Sequence, residues 1–320
     1  MSNINGESSS TPIPRVADKA AYSELIHAVL SAAAEVERTN STDIEQLGPE
    51  SMLMFSIGDG LKEALEWAHE GVASDEPACM WLGSLRWIRA VDHELPAGAP
   101  TPPSRPFTDH MLARGVDKGG DPQNIAGLRS PEMSLPHRPF NRPAASVPEL
   151  AETDGPGVLA RAIAIGVVPY LPVEQTRSFA TAAAALSHGS SKAHAACADA
   201  AELIVWATHQ MPNDTDENAF IQMLEKVADV SDDAPQATDN DAGPARMSLS
   251  LAAGVALNAL GTDAAQANAT DVGTALADEG YVQAGMLAAA LIAAVTGKSG
   301  TRHHFPIVEE YAQKLAELMF

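Results

Sequence analysis

Two glycines just before a helix are the first residues in this sequence that could do chemistry. Gly155 and Gly157 flank a proline, directly ahead of an apolar segment with helical composition. Glycine lets backbone amides approach a ligand closely, and a helix N-terminus favours an anion. The pattern therefore predicts a phosphate site, although Gly-Pro-Gly is also typical of a plain turn ahead of an ordinary helix.

A histidine at a helix junction is the second candidate. The run Ser187-His188-Gly189 ends one predicted helix, and the serines that follow are suited to cap the next. His188 therefore stands where a side chain can face a cleft. His194 falls inside the following helix and is predicted to be a structural, hydrogen-bonded histidine. The two are too far apart in sequence for the i, i+4 pairing of helical zinc sites.

A Gly-Asp-Gly run at residues 58–60 could suggest a metal loop. Apolar residues nevertheless keep helical spacing from Met54 to Leu65, so the run is predicted to lie within a helix. Asp59 is then expected on the solvated polar face, beside Lys62. The sequence contains no Ser-His-Asp order, Walker loop, zinc spacing or Rossmann fingerprint.

Composition limits the classes of partner. The formal net charge of −22 repels phosphate backbones, so no nucleic-acid partner is expected, whereas a basic protein would be attracted. The longest apolar run, residues 284–295, is too short to span a bilayer. We see no signal-peptide pattern and expect a cytoplasmic protein with no membrane partner.

The chain is predicted to be all-α. Alanine is abundant, aromatic residues make up only 5% of the sequence, and β-branched alternation is nearly absent. Residues 1–18 are polar and are expected to be a disordered tail, followed by one helical domain over residues 19–320. Cys79 and Cys197 lie in apolar helical contexts and are predicted to be buried free thiols. Helices are predicted near residues 20–38, 49–71, 77–94, 157–169, 173–187, 190–210, 215–230, 246–261, 263–278, 282–297 and 306–319.

Residues 95–157 differ from the rest of the chain. They are rich in proline, carry a Gly-Gly pair at 119–120, and show no periodicity. We expect this segment to run over the surface, anchored by one short helix near residues 107–114.

The start of the most apolar helix is unusual. Buried helices commonly open on Ser, Thr, Asp or Asn, whose side chain bonds a free backbone N–H. Here the helix opens on Gly280, Tyr281, Val282 and Gln283, with no acid nearer than Glu279. Something other than a side-chain cap must account for this start.

Three segments of the chain resemble the ADP-ribosylglycohydrolase family, which includes the J1-crystallins. They are GPGVLARAIAIGVVPYL, SFATAAAALSHGSSKAHAACADAAELI and ALADEGYVQAGMLAAALIAAVTGKSG, and WLGSLRWI resembles the family's third-helix region. The similarity covers about residues 49 to 310. It is most specific in the helix start with Gly155, Gly157 and Arg161, and in the Ser187-His188 junction.

The resemblance implies a single orthogonal multi-helix bundle. Family members cleave ADP-ribose from a protein side chain or a small acceptor, with a pair of Mg²⁺ ions that orient the ribose and activate water. Their metal ligands come from a Gly-Asp near the end of the first helix, an Asp-Asp-Thr opening a later helix, and an Asp-Thr-Asp-Thr opening the helix before the C-terminal one.

Those ligand motifs are missing here. By resemblance, the Asp-Thr-Asp-Thr positions fall on residues 280–283, and the Asp-Asp-Thr positions on Pro49, Glu50 and Ser51. The first helix offers Glu35 or Glu37 but no Gly-Asp. One carboxylate and one hydroxyl cannot bind two divalent cations well, so we expect no metal ligands and no resident cofactor.

The positions that correspond to the family's nucleotide-binding residues are better preserved than the metal-ligand positions. By resemblance, Gly155 and Gly157 would cradle the diphosphate, and His188 would lie near a ribose. We therefore expect a catalytically degenerate, ADP-ribosylglycohydrolase-like protein that binds ADP-ribose, an ADP-ribosylated protein or another protein partner. Two alternatives stay open: an active ADP-ribosyl hydrolase with relocated metal ligands, and an acidic interaction or structural protein without a ligand.

Overall fold

The computed structural model describes residues 13–14, 16, 18–38, 47–113, 115–116, 120–138, 148–210, 219–229, 243–263 and 267–320. The predicted all-α class is confirmed. The helices are α1 (Lys19–Glu37), α2 (Pro49–His69), α3 (Glu76–Asp92), α4 (Pro106–Leu112), α5 (Pro122–Leu128), α6 (Leu159–Gly166), α7 (Val173–Ala185), α8 (Ser191–Thr208), α9 (Ala219–Ala228), α10 (Pro244–Asp263), α11 (Ala269–Asp278), α12 (Val282–Thr296) and α13 (Pro306–Met319). Buried apolar side chains from all of these helices form one connected cluster.

The N-terminal part of the described chain is tied to the bundle. Ile13–Pro14 (β1) pairs antiparallel with His209–Gln210 (β2), and the Asp18 side chain accepts the N–H of Ala20 at 2.8 Å, which caps α1. The rest of the predicted disordered tail, and the domain boundary placed after it, lie mostly outside the described residues and stay predictions. None of the described helices is both long and apolar enough to span a bilayer.

Helix α12 lies at the centre of the bundle. Its residues from Ala284 to Ala294 are all buried, and it packs against α1, α6, α8, α10 and α11. Small side chains make this crowding feasible. A Cβ added to Gly285 would lie 2.3 Å from the carbonyl oxygen of Gly273, so the backbones of α11 and α12 touch where these two glycines meet.

The turn between α11 and α12 explains the uncapped start of α12. The N–H of Gly280 bonds the carbonyl of Ala277, and the N–H of Tyr281 bonds the carbonyl of Leu276. Gly280 has φ +95°, so these bonds form the left-handed C-terminal cap of the preceding helix. Tyr281 is 49% exposed and makes no side-chain cap. Its N–H closes α11, and its carbonyl accepts the N–H of Gly285 at 2.8 Å in α12.

The sequence predicts that residues 95–157 run over the surface, but part of this segment is buried in the structure. It contributes α4 and a second short helix, α5, which the sequence did not reveal because seven residues give almost no periodicity. Asp121 caps α5 by accepting the N–H of Gln123 at 2.7 Å. Asn124 on this helix is fully buried, so the segment enters the interior of the protein.

The prediction that Asp59 lies on a solvated face is wrong. Asp59 is fully buried, and both its oxygens accept N–H donors from Arg105 at 2.8 and 3.2 Å. Thr108 donates to the same carboxylate at 2.7 Å. Arg105 and Thr108 come from the proline-rich segment, distant in sequence, and supply the partners that a buried carboxylate requires.

Trp87 and the two cysteines belong to the buried core. Trp87 is fully buried and donates its indole N–H to the carbonyl of Pro49 at 3.0 Å. Cys79 and Cys197 are buried free thiols, as predicted.

The crossing of α11 and α12 yields a stability prediction. Gly285→Ala should lower the free energy of unfolding by about 1–3 kcal/mol, because the new methyl group would overlap a backbone carbonyl. Gly261→Ala is the matched control: its added Cβ meets nothing within 4 Å, so higher helix propensity should raise stability by about 0.5–1 kcal/mol. Urea denaturation measures both values, and equal stabilisation by the two substitutions would contradict the close crossing.

Candidate functional site

A group of buried and half-buried residues joined by polar contacts lies where the end of α1, the start of α2, the short helix α5, the start of α6 and the α7–α8 junction meet. We call this group the polar cluster. Its members are Glu37, Glu50, Ser51, Asp121, Asn124, Gly157, Arg161, Ser187 and His188. It contains the predicted site residues Gly157 and His188, and Gly155 adjoins it.

Glu37 caps α2 from the end of the neighbouring helix. One carboxylate oxygen accepts the N–H of Glu50 at 2.7 Å, and the other accepts the N–H and hydroxyl of Ser51 at 2.8 and 2.7 Å. Gly48, the N-cap residue of α2, has no side chain that could accept these N–H groups. A carboxylate suits this place because of the free amides and positive dipole end of the helix. Burial raises the pKa of Glu37, and its three hydrogen bonds oppose that rise.

Glu50 is held by the short helix α5. Its Oε1 accepts the N–H of Asp121 at 2.6 Å, and its Oε2 accepts from the amide nitrogen of Asn124 at 2.8 Å. Burial, and then the nearby charge of Glu37, raise the pKa of Glu50 to about 8. The carboxyl group is therefore substantially protonated at neutral pH.

Asn124 joins the acidic and basic halves of the polar cluster. Its amide nitrogen donates to Glu50 and to the carbonyl of Gly157, the latter at 3.1 Å. Its Oδ1 accepts from the guanidinium of Arg161 and from the hydroxyl of Ser187, the latter at 2.9 Å. All four hydrogen-bonding positions of the amide are used.

Arg161 is a fully buried guanidinium without an ion pair in the described part of the chain. Nη1 donates to the carbonyl of Ala183 at 2.8 Å and to Ser187 at 3.0 Å, and Nη2 donates to Asn124. Burial lowers the pKa of this group, but arginine stays charged at physiological pH. Asn124 therefore separates the positive charge of Arg161 from the carboxyl group of Glu50.

The amides of the predicted phosphate site are bonded to side chains of the protein. The N–H of Gly155 donates to the side-chain oxygen of Gln123 at 2.7 Å, and that of Gly157 donates to Asp121 at 2.9 Å. A Cβ on Gly157 would lie 2.5 Å from the same Asp121 carboxylate. Because the two glycines have no side chain, Gln123 and Asp121 can approach their backbone amides closely. An anion could bind these amides only by displacing those two side chains.

His188 is buried and does not face an open cleft. Its Nδ1 lies 2.8 Å from the Ser187 hydroxyl, and its Nε2 has no partner among the described residues. Burial and the charge of Arg161 lower its pKa well below the usual value. A 3-10 turn at Pro148–Glu152 covers the junction, since an added Cβ on Gly189 would meet its backbone at 2.4 Å. His194 is structural, as predicted, and its Nε2 bonds the carbonyl of His188 at 2.7 Å.

The residues present do not fit a pair of Mg²⁺ ions. Within the described ranges, no group of three or more His, Cys, Asp and Glu side chains is arranged to hold a metal. The oxygens of Glu37 and Glu50 already accept N–H groups. One carboxylate oxygen of Glu35 bonds the Nδ1 of His303 at 2.5 Å. The start of α12, at residues 280–283, offers no carboxylate.

Sequence reasoning found part of this site. The resemblance pointed to Gly157, Arg161, Ser187 and His188, which the structure brings together. It missed Asp121 and Asn124. The only local signal for them was an aspartate followed by proline, which is typical of a helix start.

Compared with models of known protein families and with curated proteins, the sequence matches none.

The raised pKa of Glu50 predicts an unusual pH dependence. The pKa is about 8 in the folded protein and near 4.5 in a free glutamate, so between these values the unfolded chain loses a proton that the folded one keeps. The contribution of Glu50 to the free energy of unfolding should therefore fall as pH rises through this window and level off above it. Urea midpoints across the window should show a shallower decline in Glu50→Gln than in the exposed-site control Glu279→Gln. An equal decline of the urea midpoint with pH in the two variants would contradict the raised pKa of Glu50.

Removing Asn124 should be strongly destabilising. Asn124→Ala removes one buried hydrogen-bond partner from Glu50 and one from Arg161, so we expect a loss of about 3 kcal/mol or more. Gln313→Ala, which removes only a surface hydrogen bond to Glu309, should cost less than about 0.5 kcal/mol. Chemical denaturation compares the two, and a cost below about 1 kcal/mol for Asn124→Ala would show that the bridge is dispensable.

Proposed function

We propose that the protein is an ADP-ribosylglycohydrolase-like helical protein that acts by binding a partner and not by hydrolysis. The observation that carries the proposal is the closure of the polar cluster. The groups that the resemblance assigns to metal and diphosphate are bonded to other side chains of the protein: Glu50 to Asn124, and Gly157 to Asp121. A hydrolase of this kind needs free carboxylates at its metals, and these carboxylates are engaged.

The partner that charge favours is a basic protein. The chain carries 42 acidic and 20 basic side chains, which gives the formal charge of −22. Such an excess attracts basic surfaces at long range and weakens as salt screens it. Association with a basic partner should therefore decrease steeply with ionic strength.

ADP-ribose binding is a second candidate, supported by a different observation. The carbonyl of Gly157 accepts from the buried guanidinium of Arg161 at 3.4 Å, and Ser187 links the same guanidinium to His188. The Nε2 of His188 has no partner among the described residues. A diphosphate would have to displace the Asp121 carboxylate from the amide of Gly157. Asp121→Asn, which removes this negative charge, should then tighten ADP-ribose binding.

Hydrolysis and binding assays separate these functions. We expect no Mg²⁺-dependent release of ADP-ribose from arginine- or serine-modified peptides. Release that requires Mg²⁺ and is lost in Glu50→Gln would contradict the proposal. Calorimetric titration with ADP-ribose tests the second candidate: heat that saturates and increases in affinity in Asp121→Asn supports it, and no binding at millimolar ligand removes it.

A further inference from the structure

A small cavity lies between α3 and α4, apart from the polar cluster. Its volume is about 200 Å³, and its lining residues are Arg86, Arg89, Ala90, Asp109 and Leu112. Arg86, Arg89 and Ala90 recur at helical spacing, so they occupy one face of α3. Asp109 and Leu112 occupy the facing side of α4. Two rigid elements therefore form the walls.

Arg86 gives the cavity a buried positive charge. Its side chain is shut off from solvent. Nε donates to the carbonyl of Pro103 at 2.9 Å, and Nη2 makes a long contact of 3.5 Å with Glu63. Nη1 has no hydrogen-bond partner within the described ranges. A buried guanidinium N–H without an acceptor lowers the stability of the fold. Nη1 therefore requires an acceptor that the described residues do not supply.

Arg89 adds a second guanidinium one turn further along α3. It is partly exposed, and no ion pair of Arg89 is found among the described residues. The one carboxylate in the lining, Asp109, already accepts the N–H of Arg105 at 3.1 Å and the hydroxyl of Ser104 through the same oxygen. The lining therefore carries two positive charges against one negative charge.

We propose that this cavity binds a single phosphate group, as free phosphate or as the phosphoryl group of a small molecule. Arginine suits this role because its planar N–H groups match phosphate oxygens and stay charged. Pockets for larger ligands usually enclose ~300–1,000 Å³, so the volume here favours one small anion. A water molecule could meet Nη1, but it would not neutralise the excess of positive charge in the lining.

Calorimetric titration of the full chain with inorganic phosphate, at fixed ionic strength, tests the proposal. We expect saturable binding that weakens about tenfold or more in Arg89→Gln, which leaves the buried Arg86 in place. Arg302→Gln is the matched control, because Arg302 is 75% exposed and its ion-pair partner in the described part of the chain is Asp271, at 3.0 Å. Asp109→Asn should tighten binding by removing the negative charge in the lining.

A parallel titration with phosphoserine shows whether the cavity accepts the phosphoryl group of a small molecule or binds only free phosphate. Acetate serves as the comparison carboxylate and should bind more weakly than phosphate. Arg86→Lys, checked for an intact helical circular-dichroism spectrum, should also lose binding, since lysine lacks the planar donor pair. Absence of saturable phosphate binding, equal binding in Arg89→Gln and Arg302→Gln, or acetate binding as tight as phosphate would each overturn the proposal.

Discussion

The structure depends on how it accommodates buried ionisable groups. Two glutamates and an aspartate meet one guanidinium in the polar cluster, and no direct ion pair joins Glu50 to Arg161. Asn124 stands between them and bonds both. Burying charged groups costs several kcal/mol each unless hydrogen bonds replace the lost water. The interior therefore tolerates these groups only while α5 supplies its donors and acceptors.

This constraint links distant parts of the chain. Helix α5 belongs to a proline-rich segment, yet Asp121 bonds Gly157 at the start of α6, and Asn124 bonds Glu50 at the start of α2. The same segment supplies Arg105, whose guanidinium holds the buried Asp59 carboxylate and lowers its pKa. The segment thus completes the bundle at two separate buried carboxylates, and it is not a loop that could be shortened without cost.

Much of the fold was predictable, because long apolar periodicity dominates it. Helix α12 begins at the predicted residue and ends one residue early, since its run of alanine and leucine admits no other state. The sequence shows the uncapped start of α12 but not its cause, because the C-terminal cap of α11 depends on the conformation of Gly280. Helix α5 was missed because it is short.

The site was less predictable than the fold. Resemblance located Gly155, Gly157 and His188, but the atoms that bond the two glycines come from residues more than thirty positions earlier in the chain. Asp59 was assigned to the surface because its partner, Arg105, is equally remote. Long-range polar pairing leaves no periodic pattern, so a single sequence does not reveal which buried charge meets which donor.

The central claim is that the carboxylates at the start of α2 serve the fold and not a metal. Titration with Mn²⁺, followed by electron paramagnetic resonance, tests this directly in the wild-type protein and in Glu50→Gln. The account predicts only weak binding to the acidic chain, with the same isotherm in both proteins. Stoichiometric, tight Mn²⁺ binding that disappears in Glu50→Gln would contradict it.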